Sequence, residues 1–400
     1  MSGIENKTNI KVIFALTLVH FTGDFYSAFY IPLMPAFVAK LSLSMAQVGI
    51  MTGLIRFLAF IVQPTVGYLA DRYQTRSFIL GGLGLTVFFI PLSGTASSFL
   101  LLTLCLALGA LGSSMFHPSV TGMVPAYGGR NTGFSMSIFN TGGTLAFGIG
   151  PVVITWFVAR YGLATMPLTM LVGIFSMIYL FYALPIPESE GLRFLGFFGS
   201  LREMFGSVWK PLALIWLVMV IRAAVGQSFL TFMTILLSEK GYSLVSIGII
   251  TSIFIVSGTI SGLIAGFLSD RVEFKHIFYI AHFLMAPALL LFLMAEGPWV
   301  YVCAALAGFF VLATIPISVV MAQKLAPRGR SMVASIMMGF AYGLGGALTP
   351  ITGKLADIFS IQSVLLCVAI VPLLTVIPVF FFPGVRDNNS AFGIEAPRRR

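Results

Sequence analysis

The sequence predicts an all-α membrane protein with twelve transmembrane helices arranged as two six-helix halves. The first observation is the composition, because 58% of the 400 residues are hydrophobic and only 9% are charged, whereas soluble chains carry about 25% charged residues. The second is a series of apolar runs, each close to the ~20 residues that a bilayer-crossing helix needs. The third is an internal repeat at a constant offset. These features exclude soluble enzymes and soluble nucleic-acid-binding proteins.

Apolar runs extend from one end of the chain to the other, with short polar gaps between them. The predicted spans are 11–38, 46–69, 77–96, 98–126, 131–159, 163–186, 211–237, 245–268, 274–295, 298–323, 331–357 and 361–383. The first run is not followed by a small-residue cleavage site, so a cleaved signal peptide is not expected. The three cysteines lie in apolar runs without CxxC spacing, which argues against a disulfide framework or a metal site.

The distribution of Lys and Arg predicts the orientation of the chain in the membrane. The gaps on one side hold 17 of the 23 basic residues and those on the other side hold 4. Because cytoplasmic loops carry the positive charge, both termini are expected in the cytoplasm. The net charge of +10 is therefore read as topology and not as a sign of a nucleic-acid partner. The remaining two bases, Arg56 and Arg222, fall inside predicted spans.

The chain matches itself at an offset of 199 residues. Ser44, Gly49 and Thr52 recur as Ser243, Gly248 and Thr251, and the same shift holds across four predicted helices. Two parallel halves are typical of transporters that bind substrate between the halves and work by alternating access. The predicted organisation is an N-terminal half at 1–186, a cytoplasmic linker at 187–210, a C-terminal half at 211–383 and a cytoplasmic tail at 384–400. The linker is either an interfacial helix or a simple connector.

A repeated motif predicts a gate at the cytoplasmic ends of the two halves. The pattern G-x-x-x-D-R occurs as Gly67, Asp71 and Arg72 and again as Gly266, Asp270 and Arg271. The glycine permits close helix contact, the aspartate can face a helix N-terminus and the arginine can pair across the halves. Arg76 and Arg130 complete the predicted gate. The motif resembles the signature of the major facilitator superfamily, although Tyr73, Gln74 and Thr75 replace its usual glycine and one base.

Four further segments are similar to the fosmidomycin resistance protein group within that superfamily. They are His20-Phe21-Thr22-Gly23-Asp24, Gln63-Pro64-Thr65-Val66-Gly67-Tyr68, Gly112-Ser113-Ser114-Met115-Phe116-His117-Pro118 and Gly339-Phe340-Ala341-Tyr342-Gly343. The resemblance implies the major facilitator fold and proton-driven export of a drug or small metabolite across the bacterial inner membrane. It also implies a small-molecule substrate and protons as partners, no cofactor and a monomer in the lipid bilayer.

Ionisable residues at membrane depth are costly and tend to be functional. His20 and Asp24 are four residues apart and share one face of the first helix, where they can relay a proton. The alternative is that Asp24 only neutralises an arginine. The repeat aligns Gly23 with Arg222, so Asp24 and Arg222 are expected at similar depth, whereas Arg56 is a second possible partner. The sequence does not choose between the two arginines.

A cavity with net positive charge is expected between the halves. The candidate cavity residues are Tyr30, Arg56, His117, Asn140, Arg222 and Gln227. His117 either contacts substrate or a proton, or is satisfied by a neighbouring helix. Pro118, Pro151 and Pro350 are predicted to bend the helices that contain them. Such a cavity would suit an anionic or amphiphilic substrate.

Two other functions share these features. A metabolite importer or facilitator would have the same fold, and a lipid flippase would differ by a lateral opening that the sequence does not reveal. An enzyme is not expected, because the chain has no H-E-x-x-H, no G-x-S-x-G and no intramembrane carboxylate pair. No metal site is predicted.

Overall fold

The computed structural model describes residues 8–72, 76–129, 132–186, 208–269, 271–325 and 336–383. All regular structure in these ranges is helical. The N-terminal half comprises α1 (Ile10–Ser27), α2 (Met34–Leu41), α3 (Met45–Arg72), α4 (Ser77–Leu92), α5 (Phe99–Gly128), α6 (Thr132–Tyr161) and α7 (Met170–Ala183). A 3-10 segment, Leu163–Thr169, precedes α7.

The C-terminal half has more interruptions. Its helices are α8 (Trp209–Glu239), α9 (Leu244–Ser269), α10 (Phe274–Met294), α11 (Trp299–Leu312), α12 (Thr314–Leu325), α13 (Ala341–Gly346), α14 (Thr349–Ile358), α15 (Ile361–Ile370) and α16 (Val376–Phe380). A π-helical turn, Ile336–Phe340, leads directly into α13. The all-α fold with two halves of transmembrane helices is confirmed.

Ten helical stretches within the described residues are long and apolar enough to cross a membrane. The other two predicted spans are the broken ones. The span 11–38 is divided into α1 and α2 by a turn, and the span 331–357 is divided into α13 and α14 by a turn at Ala347 and Leu348. Pro350 lies in the first turn of α14, where its missing N–H has no helical acceptor to lose.

The two halves meet closely at the end of the molecule where α3 begins and α14 ends, which we name the closed end. A Cβ on Gly49 of α3 would lie 2.6 Å from the carbonyl oxygen of Thr349. A Cβ on Gly353 of α14 would overlap the carbonyl oxygen of Met45. Only residues without side chains permit such helix contacts. The same holds between α6 and α9, where Gly248 faces the carbonyl oxygen of Pro151.

Polar contacts reinforce the closed end. The carboxylate of Asp357, at the end of α14, accepts hydrogen bonds from the backbone N–H groups of Met45 at 2.7 Å and Ala46 at 2.9 Å. These N–H groups belong to the first turn of α3 and have no acceptor within their own helix, so the carboxylate caps a helix of the other half. Between α6 and α9, the Ser252 hydroxyl donates to the carbonyl oxygen of Gly148.

Inside the N-terminal half, α1 packs between α5 and α6. Gly23 of α1 lies against the ring of Phe116 from α5, and Gly142 of α6 lies against Thr17 of α1. These contacts place the polar face of α1 in the interior of the half. The predicted interfacial linker, apart from residues 208–210, and the predicted tail lie outside the described residues, and the domain boundaries remain predictions.

Candidate functional site

Three ionisable side chains from α1 and α5 meet inside the N-terminal half, and we name them the Asp24 cluster: His20, Asp24 and His117. His20 Nε2 lies 3.1 Å from Asp24 Oδ2, and His117 Nε2 lies 3.0 Å from Asp24 Oδ1. Asp24 is 3% exposed. Each oxygen of the buried carboxyl group therefore faces one imidazole, and both imidazoles come from the same half.

The local sequence explains how these groups come together. His20 and Asp24 lie one helical turn apart on α1, and Gly143 lets α6 approach that face. A Cβ on Gly143 would lie 2.5 Å from His20 Nε2 and 2.7 Å from Asp24 Oδ2. The sequence analysis missed the place of this glycine in the site, because sequence spacing does not show which helix face it contacts.

Backbone carbonyl groups fix both imidazoles. His20 Nδ1 lies 3.0 Å from the carbonyl oxygen of Phe139, and His117 Nδ1 lies 2.8 Å from that of Ser113. A carbonyl oxygen only accepts, so each Nδ1 must carry a proton. The Nε2 atoms are left to face Asp24. The rings also stack, His20 on Phe139 and His117 on Phe116, with centroids 4.2 and 4.3 Å apart.

This geometry sets the number of protons in the Asp24 cluster. Each contact between Nε2 and a carboxyl oxygen needs one proton, since otherwise two lone pairs face each other. With both protons present the cluster carries a net charge of +1, and with one removed it is neutral and one contact is repulsive. Oδ1 of Asp24 has no other hydrogen-bond partner among the described residues, so His117 is the group that faces it, at 3.0 Å. The cluster can thus take up and release a proton.

The separations in the cluster are those of hydrogen bonds. Its three ligand atoms lie within 4.8 Å of one another, a spacing that also admits a small cation. However, ligand atoms bound tetrahedrally to a metal at about 2.0–2.1 Å lie about 3.3 Å apart, whereas the two N–O distances here are 3.0 and 3.1 Å. The distances are those of hydrogen bonds, and the same three groups would need to separate by only about 0.3 Å to hold a metal ion.

The cluster is accessible through His117, whose side chain is 27% exposed. On α5, Ser113, His117 and Thr121 follow one another at intervals of one turn, and Thr121 is exposed. On α6, Asn140 is exposed, and Thr144, one turn further along, is half-buried. Exposed polar side chains at membrane depth indicate a water-filled cavity. Of the predicted cavity residues, His117 and Asn140 lie on this surface.

Arg222 lies inside the C-terminal half. It is 1% exposed, its Nη1 donates to the carbonyl oxygen of Val311 at 3.2 Å, and the ring of Tyr342 lies 4.6 Å from its Cζ. Its Nε and Nη2 are buried and have no hydrogen-bond partner among the described residues. The role of Tyr342 was missed, although it lies in a segment that the sequence singled out.

Arg56 of α3 is half-buried. Its Cβ and Cγ lie against Gly346 of α13, and its Nε is buried without a hydrogen-bond partner in the described part of the chain. Neither Arg56 nor Arg222 forms an ion pair with Asp24 among the described residues, so the structure does not show the alternative in which Asp24 only neutralises an arginine. The two histidines occupy both carboxyl oxygens, and Arg222 points into its own half.

The remaining candidates are distributed over the fold. Tyr30 and Gln227 are each 6% exposed, in the turn after α1 and in α8. Pro118 lies within α5 and Pro151 within α6, beside α9. His282 of α10 is buried. Its Nδ1 lies 2.6 Å from the hydroxyl oxygen of Thr375, and its Nε2 lies 3.2 Å from that of Thr314.

Most of the predicted cytoplasmic gate cannot be located from the structure. The side chains of Asp71 and Arg72, together with Gly67, Arg130 and Asp270, lie outside what is described. Arg76 donates to the carbonyl oxygen of Phe181, in the last turn of α7, at 2.9 Å and to that of Leu184, just after α7, at 2.8 Å. Gly266 has open space where a side chain would be, and Arg271 lies over the ring of Phe267. The gate remains a prediction.

Two bundles of transmembrane helices, with the buried Asp24 cluster beside an accessible polar surface, define a membrane transporter fold. The sequence profile of the Major Facilitator Superfamily matches residues 14–350 and 247–398. The chain belongs to this family, and it is a multi-pass membrane transporter.

Comparison with known proteins agrees with this assignment. The chain is 25% identical to the fosmidomycin resistance protein of Escherichia coli over 385 residues, which cover 95% of this chain and 94% of that protein. The predicted resemblance is thereby confirmed. A shorter match of 127 residues, 28% identical, covers 30% of this chain and 32% of the quinolone resistance protein NorA of Staphylococcus aureus.

Solved structures show the same fold. A bacterial homologue of the human lysosomal transporter Spinster, in an inward-facing and unoccupied conformation, superimposes with a TM-score of 0.78 at 17% identity, covering 94% of this chain and 96% of that one. The nucleoside transporter NupG gives a TM-score of 0.75 at 15% identity, covering 93% of this chain and 98% of that one.

Proposed function

We propose that this transporter is a proton-coupled exporter of small anionic or amphiphilic molecules. The observation that carries the proposal is the Asp24 cluster, in which one buried carboxyl group shares protons with His20 and His117 beside a polar, accessible surface. Asp24 is the only acidic residue inside the predicted spans of the N-terminal half. A buried group that changes charge is what a transporter needs to bind and release protons.

In the proposed cycle, the fully protonated cluster holds both imidazoles against Asp24. Loss of a proton from His117 Nε2 to water in the cavity leaves a neutral ring whose lone pair faces the carboxylate. That contact then opens, and α5 is released from α1 at this point. Proton release is thereby linked to a change in packing within the N-terminal half.

The orientation inferred from the basic residues gives the direction of access. If both termini are cytoplasmic, the closed end is the outer end, and the conformation is the inward-facing one. The predicted gate of Asp71, Arg72, Asp270 and Arg271 lies at the opposite, cytoplasmic end and would close in the outward-facing state. We place the protein in the bacterial inner membrane on the same argument.

The substrate class is supported by charge. The cluster with two protons carries +1 and the two intramembrane arginines are unpaired among the described residues, so the interior has an excess of positive charge that favours an acidic or amphiphilic molecule. The names of the two resistance proteins given above favour a drug as substrate and export as direction. Import or facilitated diffusion of a metabolite, and lipid flipping, are the competing functions.

The proposal is tested with purified protein in liposomes that contain a pH-sensitive dye. Addition of fosmidomycin, or of anionic and cationic amphiphiles, is expected to evoke proton flux. Asp24→Asn should abolish this flux and gradient-driven accumulation while counterflow exchange of substrate stays detectable. Glu296→Gln, which removes an exposed acid between α10 and α11, is the matched control and should behave as wild type.

Each competing function gives its own result. Unchanged concentrative transport in Asp24→Asn would contradict the coupling role. Substrate uptake without proton flux in the wild-type protein would favour a facilitator, and transbilayer movement of labelled phospholipid would favour a flippase. Either result, from protein shown to be folded, would replace the proposed export function.

A further inference from the structure

The guanidinium group of Arg222 presents an unused pair of hydrogen-bond donors. Nη1 donates to the carbonyl oxygen of Val311, whereas Nε and Nη2 have no acceptor among the described residues. Nε and Nη2 lie on the same edge of the guanidinium plane and form its bidentate fork. That fork matches the two oxygens of a carboxylate, phosphate or phosphonate group.

The C-terminal half contains no acid that can neutralise this charge. Its acids within 211–383 are Glu239, Asp270, Glu273, Glu296 and Asp357, and all lie between predicted spans or at the last residue of one. Asp24 already faces two histidines. A buried cation without a partner is strongly destabilising, so a permanently empty fork is difficult to reconcile with 1% exposure.

The ring of Tyr342 lies against the buried guanidinium group and is itself partly accessible. Its centroid lies 4.6 Å from Arg222 Cζ, and the residue is only half-buried. It belongs to α13, a six-residue helix between the π-helical turn and the break at Ala347. Next to it, Gly345 contacts α8, where an added Cβ would lie 2.5 Å from the Cβ of Ala223. The cover over Arg222 is therefore a side chain on a short, glycine-rich segment.

We propose that the Nε and Nη2 fork of Arg222 binds the acidic group of the transported molecule after the Tyr342 ring turns away. Two N–H groups donate to two oxygens of a carboxylate or phosphonate, and the buried charge gains its counterion only when substrate is present. The assignment rests on the proposed function in that it takes the ligand to be the substrate. It identifies the acid-binding residue on the half that lacks the proton-sharing cluster.

The test is a binding measurement in detergent at constant pH, without any gradient. The probes are fosmidomycin and decylphosphonate, each compared with its uncharged diethyl ester. Arg222→Lys keeps the charge but removes the fork, and is expected to weaken binding of the acids about tenfold or more. Arg160→Lys, at an exposed arginine at the end of α6, is the matched control and should change the affinity less than about threefold. The esters should bind poorly to both wild type and Arg222→Lys.

The outcomes separate the possibilities. Equal affinity of acid and ester for the wild-type protein overturns the proposal without any variant, so a misfolded Arg222→Lys does not prevent a decision. Unchanged acid binding in a folded Arg222→Lys also overturns it. If inorganic phosphate binds in an Arg222-dependent manner and the two organic acids do not, the fork holds a resident anion and not substrate, which likewise contradicts the assignment.

The same measurement is independent of proton coupling. Asp24→Asn is expected to retain Arg222-dependent binding, since the fork lies in the other half. Loss of proton flux with intact binding would therefore count against the coupling mechanism alone, and intact flux with no preference for the acid would count against the fork alone.

Discussion

The two halves of this transporter each bury one charge at corresponding positions, and they satisfy it in different ways. Asp24 on α1 and Arg222 on α8 are separated by nearly the repeat offset and are 3% and 1% exposed. Both oxygens of Asp24 face histidines of its own half. Arg222 finds one carbonyl group and one ring, and two of its nitrogens have no partner in the described structure.

A single pair of equivalent residues illustrates the difference. The offset of 199 aligns Gly143, which lets α6 approach the Asp24 cluster, with Tyr342, which covers Arg222. A glycine in the first half allows a compact group of hydrogen-bonded side chains. In the C-terminal half, the large side chain of Tyr342 fills space beside Arg222 that a bound molecule can take. The repeat thus preserved the helix positions while the buried charges acquired different partners, two imidazoles in one half and a carbonyl group and an aromatic ring in the other.

The largest effect is expected from Gly143→Ala. The new Cβ would lie within 2.7 Å of both His20 Nε2 and Asp24 Oδ2, well inside van der Waals contact, so the cluster must separate or α6 must move. We expect substrate-evoked proton flux to fall more than about tenfold, because positioning errors of this size remove the shared protons. The measurement is the liposome assay with equal amounts of folded protein.

Gly122→Ala serves as the control for this change. Gly122 also lies in a helix of the N-terminal half, on α5, but has open space where the methyl group would be. Near wild-type flux is expected. If both alanine variants transport equally well, close packing of α6 on the cluster is not required for coupling, and the contrast drawn between Gly143 and Tyr342 loses its functional meaning.

Exchange of the two buried charges should fail to restore transport. Arg222→Asp and Asp24→Arg are each expected to reduce transport by about tenfold or more, because each buries a charge without its partners. The double variant should be no better than the single ones, since Asp24 contacts histidines and not Arg222. Recovery of transport in the double variant, measured by uptake into vesicles, would indicate a direct pair in another conformation.

Much of the fold could be predicted from the sequence, because the lengths of the apolar runs and the positions of the basic residues can be read directly along the chain. The repeat predicted the two halves, and Pro350 indicated a bend where α13 and α14 are separated by a turn. The breaks themselves were not predicted. The span 11–38 is apolar throughout most of its length, and its division into α1 and α2 coincides with Pro32 in the turn and Pro35 in the first turn of α2.

The sequence predicted which residues belong to the site, but not how their side chains contact one another. The spacing of His20 and Asp24 placed them on one face, and His117 was marked by its segment. That His117 closes onto Asp24 depends on the rotation of α5 against α1, which is set by glycine contacts such as Gly23 with Phe116. Spacing along one helix fixes neighbours on that helix, but contacts between helices require knowledge of which faces pack. For the same reason the sequence left open whether Asp24 pairs with an arginine.

A moderate effect is expected at the closed end, where Asp357→Asn weakens the cap on the first turn of α3. Loss of the negative charge at a helix N-terminus costs about 0.3–1 kcal/mol at an exposed site, which shifts the equilibrium toward opening of this end about two- to fivefold. Spin labels on Ala164 and Pro298, exposed loop residues of the two halves at this end, should report a larger population of long distances.

Glu296→Gln again provides the comparison, because it removes an exposed acid at the same end without touching α3. No change in the distance distribution is expected there. An unaltered distribution in Asp357→Asn as well would mean that the glycine contacts of α3 with α14 hold the closed end without help from the carboxylate.

The smallest effect on transport is expected at His282, which is buried like Arg222 in the described part of the C-terminal half. His282 is fully buried and bridges Thr375 and Thr314, so His282→Ala leaves two hydroxyl groups with fewer partners and creates a cavity. We expect a loss of about 2–4 kcal/mol in stability but less than a twofold change in transport per folded molecule. His276→Ala, at an exposed histidine on the same helix, should change neither. A large loss of proton flux in folded His282→Ala would show that the C-terminal half also carries a proton-handling group, and the division of roles between the halves would then be wrong.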